Sequence, residues 1–161
     1  MLDAVKQTPL LHDLSIAQLE LLAPLFETFT CPTDHPIFEQ DEPAEYLYLL
    51  IYGTVVLHFK PYDGTPIVLT RLHAGDAFGW SSVVGGSVYT SGIFSETRIE
   101  AVRIRGRDLR KLCRDHPDLG TIILDRLAEA VSGRWQNSRI QVQAILNRNL
   151  NENCDGKSEL K

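Results

Sequence analysis

A mainly β fold, a sandwich or barrel with flanking helices, follows from three features of this 161-residue chain. From Cys31 to about Arg105, short apolar or alternating runs ("PIF", "YLYLLIYGTVVLHF", "PIVLTRLH", "GIFSETRIEAVRI") are separated by turn-forming clusters, as in close-spaced strands. Asp63-Gly64 joins two of these runs, and both residue types tolerate the positive φ that a tight hairpin turn demands. Beyond Pro117 the period changes from that of strands to that of a helix, with apolar residues at Ile123, Leu124, Leu127, Val131, Trp135, Val142, Ile145 and Leu146.

Each element has its own local signal. Over residues 15–28, Ser15 is an N-cap, and Ile16, Leu19, Leu22 and Phe26 fall at helical spacing, which predicts an amphipathic helix bent near Pro24. Barrel strands are expected from about residue 30 to residue 105. Among them, "TVVLHFKPY" and "TPIVLTRL" flank the Asp-Gly turn and should pair antiparallel. Residues 106–115 read as a short helix, with Asp108 in its first turn and Pro117 stopping it. A final helix is expected over 117–149. About 30 residues at 1.5 Å each span roughly 45 Å, more than one small barrel can cover. Its stripe, Leu124, Leu127, Val131, Trp135, Val142 and Ile145, is therefore expected to form a homodimer seam, with Ser132-Gly133 softening the helix at mid-length. Residues 1–150 form the expected domain, and 151–161 a polar, disordered tail.

Composition excludes several function classes. With 43% hydrophobic and 23% charged residues the chain reads as globular, and no apolar run approaches the length of a membrane span. The N-terminus carries Asp3 and lacks the basic-then-apolar order of a signal peptide, so a cytoplasmic protein is expected. Cys31, Cys113 and Cys154 are scattered and odd in number, which indicates neither a disulfide framework nor a zinc site. A net charge of −5 offers no electrostatic reason to expect nucleic acid. His12, His35, His58, His73 and His116 are isolated, and no metal is expected. With no nucleophile elbow, phosphate-cradling glycine loop or paired carboxylates, an enzyme is not expected. Asp34, Glu39, Asp41, Glu42 and Glu45 read as a solvated acidic turn.

Three stretches carry a resemblance when taken together. "TPLLHDLSIAQLELL" is similar to an entry helix of the form Pro-Leu-Phe, two residues, Leu-Ser, then Leu. "PIFEQDEPAEYLYLLIYGTV" resembles a run of Ile-Phe, acidic turn, Leu-Tyr-Leu-Ile, then a glycine matched by Gly53, and "LHAGDAFGW" resembles Gly-Asp-x-Phe-Gly-Glu. Their order and spacing resemble the cyclic nucleotide-binding domain family, which includes bacterial catabolite activators and kinase regulatory subunits. The resemblance covers roughly residues 8–146. It implies an eight-stranded jelly roll, a double-stranded β-helix, with a long C-terminal dimerisation helix, and a non-enzymatic regulatory or sensory role.

The family's phosphate-binding cassette continues from Phe-Gly-Glu to Pro-Arg-x-Ala. Its Arg makes a charge-assisted bond to the cyclic phosphate and its Glu accepts the ribose hydroxyl. In this sequence Phe78 and Gly79 match, Trp80 stands at the Glu position, Val88 at the Pro and Tyr89 at the Arg. The resemblance thus puts the ligand pocket at Phe78, Gly79, Trp80, Ser81, Ser82, Tyr89, Thr90 and Ser91. A charged hydrogen bond contributes about 1.5 to 3 kcal/mol against about 1 for a neutral one. Losing the Arg alone would weaken binding by about ten- to a hundred-fold, so Trp80 and Tyr89 disfavour cyclic nucleotide, and the cofactor is unassigned. Arg71 is the candidate substitute phosphate contact; Arg98, Arg103, Arg105 and Arg107 read as outward charges.

Two readings of Trp80 and Tyr89 stay open: they fill the emptied pocket, or they line one for a flatter, less charged ligand. The first expectation is a dimeric sensor of a small molecule other than an ordinary cyclic nucleotide. The alternative is a ligand-free scaffold recruiting a protein partner through the long helix. Transcription-factor relatives continue into a DNA-binding unit; this chain stops, so its output is expected to be another protein or the dimer itself.

Overall fold

The computed structural model describes residues 2–61, 64–84, 86–130 and 132. Eight strands form among them: β1 (Glu27–Cys31), β2 (Pro36–Phe38), β3 (Tyr46–Tyr52), β4 (Val55–Phe59), β5 (Ile67–Leu72), β6 (Ala77–Phe78), β7 (Gly92–Ser95) and β8 (Ile99–Arg105). They make two four-stranded antiparallel sheets, ordered β1-β8-β3-β6 and β2-β7-β4-β5, the jelly-roll arrangement the resemblance implied. The β4–β5 hairpin is antiparallel as expected, running from Val55 opposite Leu72 to Phe59 opposite Ile67. Asp63 of its turn lies outside the described residues.

The helices are α1 (Leu2–Lys6), α2 (Ile16–Leu22), α3 (Ser81–Val84), α4 (Gly106–Asp115) and α5 over 117–130. Ser15 caps α2 through a reciprocal pair with Gln18: its hydroxyl accepts from the Gln18 N–H, and the Gln18 side chain accepts from the Ser15 N–H. The helix expected over 15–28 ends sooner. Pro24 sits in a single 3-10 turn, Ala23–Leu25, and Phe26 is already extended at φ −75° and ψ 130°, so Glu27 opens β1. α1 was not among the elements expected from the sequence, although Asp3 in its first turn and Lys6 in its last suit a helix.

Alternation along β3 divides the interior into two cores. Leu47 and Leu49 pack outward against the helices, with Leu22, Leu109, Ile123 and Leu127. Tyr48 and Leu50 face the space between the sheets, with Phe38, Val55, Phe78 and Ile93. A strand buried on both faces explains why "YLYLLI" reads as one apolar run rather than an alternating one. The expected dimer seam needs correction at its start: Leu127 is only 2% exposed and belongs to the chain's own helical core, whereas Leu124 is 42% exposed. Val131, Trp135, Val142 and Ile145 lie outside the described residues. None of the described helices is long and apolar enough to cross a membrane.

On the outer face of β4, the His58 ring lies across β7, over its partner Gly92 and beside Phe94, with ring centres 5.6 Å apart. Its Nδ1 is buried without a hydrogen-bond partner among the described residues. Burial holds the imidazole below its ordinary pKa, against the pull of Glu39. Above about pH 6.5 the folded and unfolded chains both carry neutral His58. As pH falls below that value the unfolded chain takes up the proton first, so stability falls until the folded pKa is passed. Urea midpoints measured across this window are expected to drop more for the native protein than for His58→Leu; equal drops would show that His58 does not contribute.

Candidate functional site

The cassette begins where β6 ends. Phe78 pairs with Tyr48 across the sheet, and Gly79 turns the chain at φ +80°. A side chain at Gly79 would place its Cβ 2.6 Å from the Tyr46 carbonyl oxygen, so only glycine allows this approach of loop to strand. Trp80 leads into α3, where Ser81 and Ser82 are both buried. The Ser82 hydroxyl donates to the Gly79 carbonyl at 2.8 Å, and the Ser81 carbonyl accepts from the Gly86 N–H at 3.0 Å. The first bond holds the buried Ser82 hydroxyl within the loop, and the second pins the Ser81 backbone. Val88 then bridges to Pro43 and delivers Tyr89 to the interior.

Tyr89 is the residue that the sequence reading set against the family's arginine. It is 4% exposed, and its ring stacks on Phe38 with centres 3.6 Å apart and planes 13° from parallel. Its hydroxyl donates to the Tyr46 carbonyl at 2.8 Å and accepts from the Tyr46 N–H at 3.0 Å. Burial pushes the phenol up to about 12, despite the Tyr46 backbone bond that acts the other way. Behind it Tyr48 and Phe78 stack at 4.9 Å. The interior that would face a ligand is therefore filled by two stacked ring pairs, Phe38–Tyr89 and Tyr48–Phe78, that meet at tilted contacts of about 6 Å between ring centres.

The cavity left at the cassette measures about 20 Å³, with Phe38, Leu57, Tyr89, Thr90 and Ser91 on its walls. That is room for about one water molecule, whereas small-molecule sites run to roughly 300 Å³ and more. Trp80 borders this cavity and also packs, half-buried, against the helix-side core. Phe78, Gly79 and Ser81 complete the lining, while Ser82 faces Gly79 and α4 instead.

The arginines fall differently from the sequence reading. Arg71 is on the outer face of β5, its neighbour Leu72 being the inward residue; its Nε donates to Glu96 at 3.0 Å and its side chain is 55% exposed. Strand alternation thus points Arg71 away from the cassette and towards Glu96, which argues against the substitute phosphate contact considered for it. Arg98 is an outward charge paired with Glu100 at 3.1 Å.

Of the other two strand arginines read as outward charges, Arg103 is largely covered, with its side chain 27% exposed, whereas Arg105 stays 41% exposed although it lies on the same face. Their neighbours Val102 and Ile104 fill the helix-side core, so the arginines share the inner face with Tyr48 and Tyr46, their partners across the β3–β8 ladder. The Arg103 guanidinium lies 4.1 Å from the Tyr46 ring centre and 5.2 Å from that of Phe29, and its Nε donates to Glu27 at 3.1 Å. Its charge is already matched, by a carboxylate and two ring faces.

Among the described residues no group of His, Cys, Asp and Glu is placed to hold a metal ion.

The profile of the cyclic nucleotide-binding domain matches residues 29–116. The cAMP-activated global transcriptional regulator CRP of Pasteurella multocida is 32% identical over 115 residues, covering 71% of this chain and 53% of that protein. The global nitrogen regulator of Synechocystis is 27% identical over 135 residues, covering 81% of this chain and 56% of that protein. The chain spans about half the length of these curated relatives. A putative cyclic nucleotide-binding protein from Geobacter metallireducens superposes with a TM-score of 0.73 at 26% identity, over 83% of this chain and 96% of that one. A cyclic nucleotide-binding domain from Methylobacillus flagellatus shares the fold, with a TM-score of 0.76 at 20% identity over 89% and 80% of the two chains. The profile spans more than half of the chain, cassette included, and the chain thus belongs to the cyclic nucleotide-binding domain family.

Proposed function

We propose that this chain is a non-enzymatic regulatory module whose cassette is shut by its own aromatic side chains, and which acts on a protein partner instead of reporting cAMP or cGMP. The observation that carries this reading is Tyr89, stacked on Phe38 and bonded through one hydroxyl to both backbone groups of Tyr46. A cyclic nucleotide would have to break both bonds and the stack, and would find no cassette arginine in exchange. The 20 Å³ cavity favours the scaffold reading over the small-molecule sensor. The regulators among its relatives support the regulatory class. The apolar stripe that continues beyond 130 in the sequence supports a dimer through the long helix.

A thermal-shift titration with millimolar cAMP and cGMP tests this. A ligand at a hundred times its dissociation constant adds about 2.7 kcal/mol, and each kcal/mol moves the midpoint of a domain this size by about 2–4 °C. No shift with either nucleotide is the expected result. A rise of several degrees with either one would mean that the cassette opens and binds through another cation.

A further inference from the structure

Away from the cassette, a cavity of about 570 Å³ opens between α3, α4 and α5, lined by Val83, Arg107, Arg110, Cys113, Arg114 and Leu124. Its floor is apolar and its lining charges are all positive, on a chain whose net charge is −5. Arg107, Arg110 and Arg114 fall at i, i+3 and i+7 of α4, which aligns them on one helix face. Arg107 has Asp108 at 3.8 Å; Arg110 and Arg114 have no ion pair among the described residues. Like charges at this spacing destabilise their own helix, and no described carboxylate offsets Arg110 or Arg114. Leu124, 42% exposed, adds an accessible apolar side chain to the walls.

The walls are fixed by two close contacts. At Gly106 a Cβ would lie 2.0 Å from the Ser82 carbonyl oxygen, which locks the start of α4 against α3. At Gly120 it would lie 2.7 Å from the Cys113 carbonyl oxygen, which brings α5 directly onto α4. A preformed groove with an apolar floor and a cationic rim suits an amphipathic helix that presents leucine-type side chains on one face and carboxylates beside them. We infer that this groove is the docking site for an acidic amphipathic segment of a partner protein, an assignment that rests on the scaffold reading above. Charge complementarity selects the occupant: a basic or neutral segment would gain nothing from the arginine face.

The test uses the full chain and a fluorescein-labelled helical peptide of about four turns, with leucines at i, i+3, i+4 and i+7 and glutamates elsewhere. Anisotropy should report binding that weakens as salt rises and is lost when the glutamates are replaced by glutamine. Arg110→Glu/Arg114→Glu, both exposed positions, should weaken binding by at least about tenfold with an unchanged melting midpoint, and Leu124→Ser should also weaken it. Four results would overturn the proposal: no peptide binding, equal binding of the glutamine peptide, indifference to the double charge reversal, or a double reversal that changes the sedimentation of the chain alone, which would make the occupant a second copy. The nucleotide titration reports separately on the scaffold reading: a protein that bound cAMP tightly would sink that reading whatever the peptide does.

Discussion

Tyr89→Ala is expected to lower the stability of the domain by about 3–5 kcal/mol, the range for removing a buried aromatic ring from a packed core. Three losses combine. The stack on Phe38 disappears, a ring-sized void opens beside the 20 Å³ cavity, and the Tyr46 N–H and carbonyl lose their partner. At about 2–4 °C per kcal/mol the melting midpoint should fall by about 6–20 °C. Tyr89→Phe separates the contributions, since it keeps the ring and leaves only the two backbone groups unpaired, a loss of about 1–3 kcal/mol. The phenol gives an independent signature. Its folded pKa of about 12 lies above the ordinary value of 10, so its contribution is complete below pH 10 and is lost as pH rises through 12. Tyr89→Phe should remove that alkaline component. A Tyr89→Ala protein that melts with the native one would mean the tyrosine does not seal the cassette in solution.

Gly106→Ala should be nearly as damaging, although it adds only a methyl group to a helix. The new Cβ would sit 2.0 Å from a backbone oxygen, that of Ser82, and 2.8 Å from the Ser82 Cβ. Neither neighbour is a flexible side-chain end, so α3 or α4 must shift as a unit. The Gly106 N–H also donates to the Glu45 carbonyl at 2.8 Å, and a shift of α4 strains that bond as well. Overpacking of this kind costs about 1–3 kcal/mol, and more where backbone must give, whereas alanine in an unconstrained helix would stabilise by up to about 1 kcal/mol. The sign of the change in urea midpoint therefore decides whether the two helices touch here. A gain in stability would remove the rigid wall from the proposed groove.

Much of the fold was written in local chemistry. The Ser15 N-cap, the strand-to-turn punctuation after Cys31, the β4–β5 pairing and the stop at Pro117 each follow from short-range rules, and each is found. The end of the first long helix was misread because helical spacing continued to Phe26, while Pro24 had already fixed the backbone for a tighter turn. The orientation of Arg103 and Arg105 was missed for a different reason. In most sheets the apolar residues of a strand mark its inner face, but here the helices bury the other face too, so Val102 and Ile104 point to the helical layer. Only the register with Tyr46 and Tyr48 reveals which side the arginines take. At the cassette, the sequence could name Trp80 and Tyr89 as replacements but left open whether they filled or lined a pocket. That distinction depends on the distance from Tyr89 to Tyr46, residues 43 apart in the chain. The arginine groove was legible only in part: the α4 spacing is in the sequence, but its apolar floor comes from α3 and α5.

The double burial of β3 has a consequence for how the protein comes apart. Leu47 and Leu49 hold one core, Tyr48 and Leu50 the other, so neither core can open without disturbing the strand that anchors the other. Shedding the helical layer would expose the back of β3 and slacken its pairing with β8, and through it the register of the barrel. Loss of the helices and loss of the sandwich should accordingly be one event, and the amides of residues 47–50 should exchange with solvent only at the rate set by global unfolding.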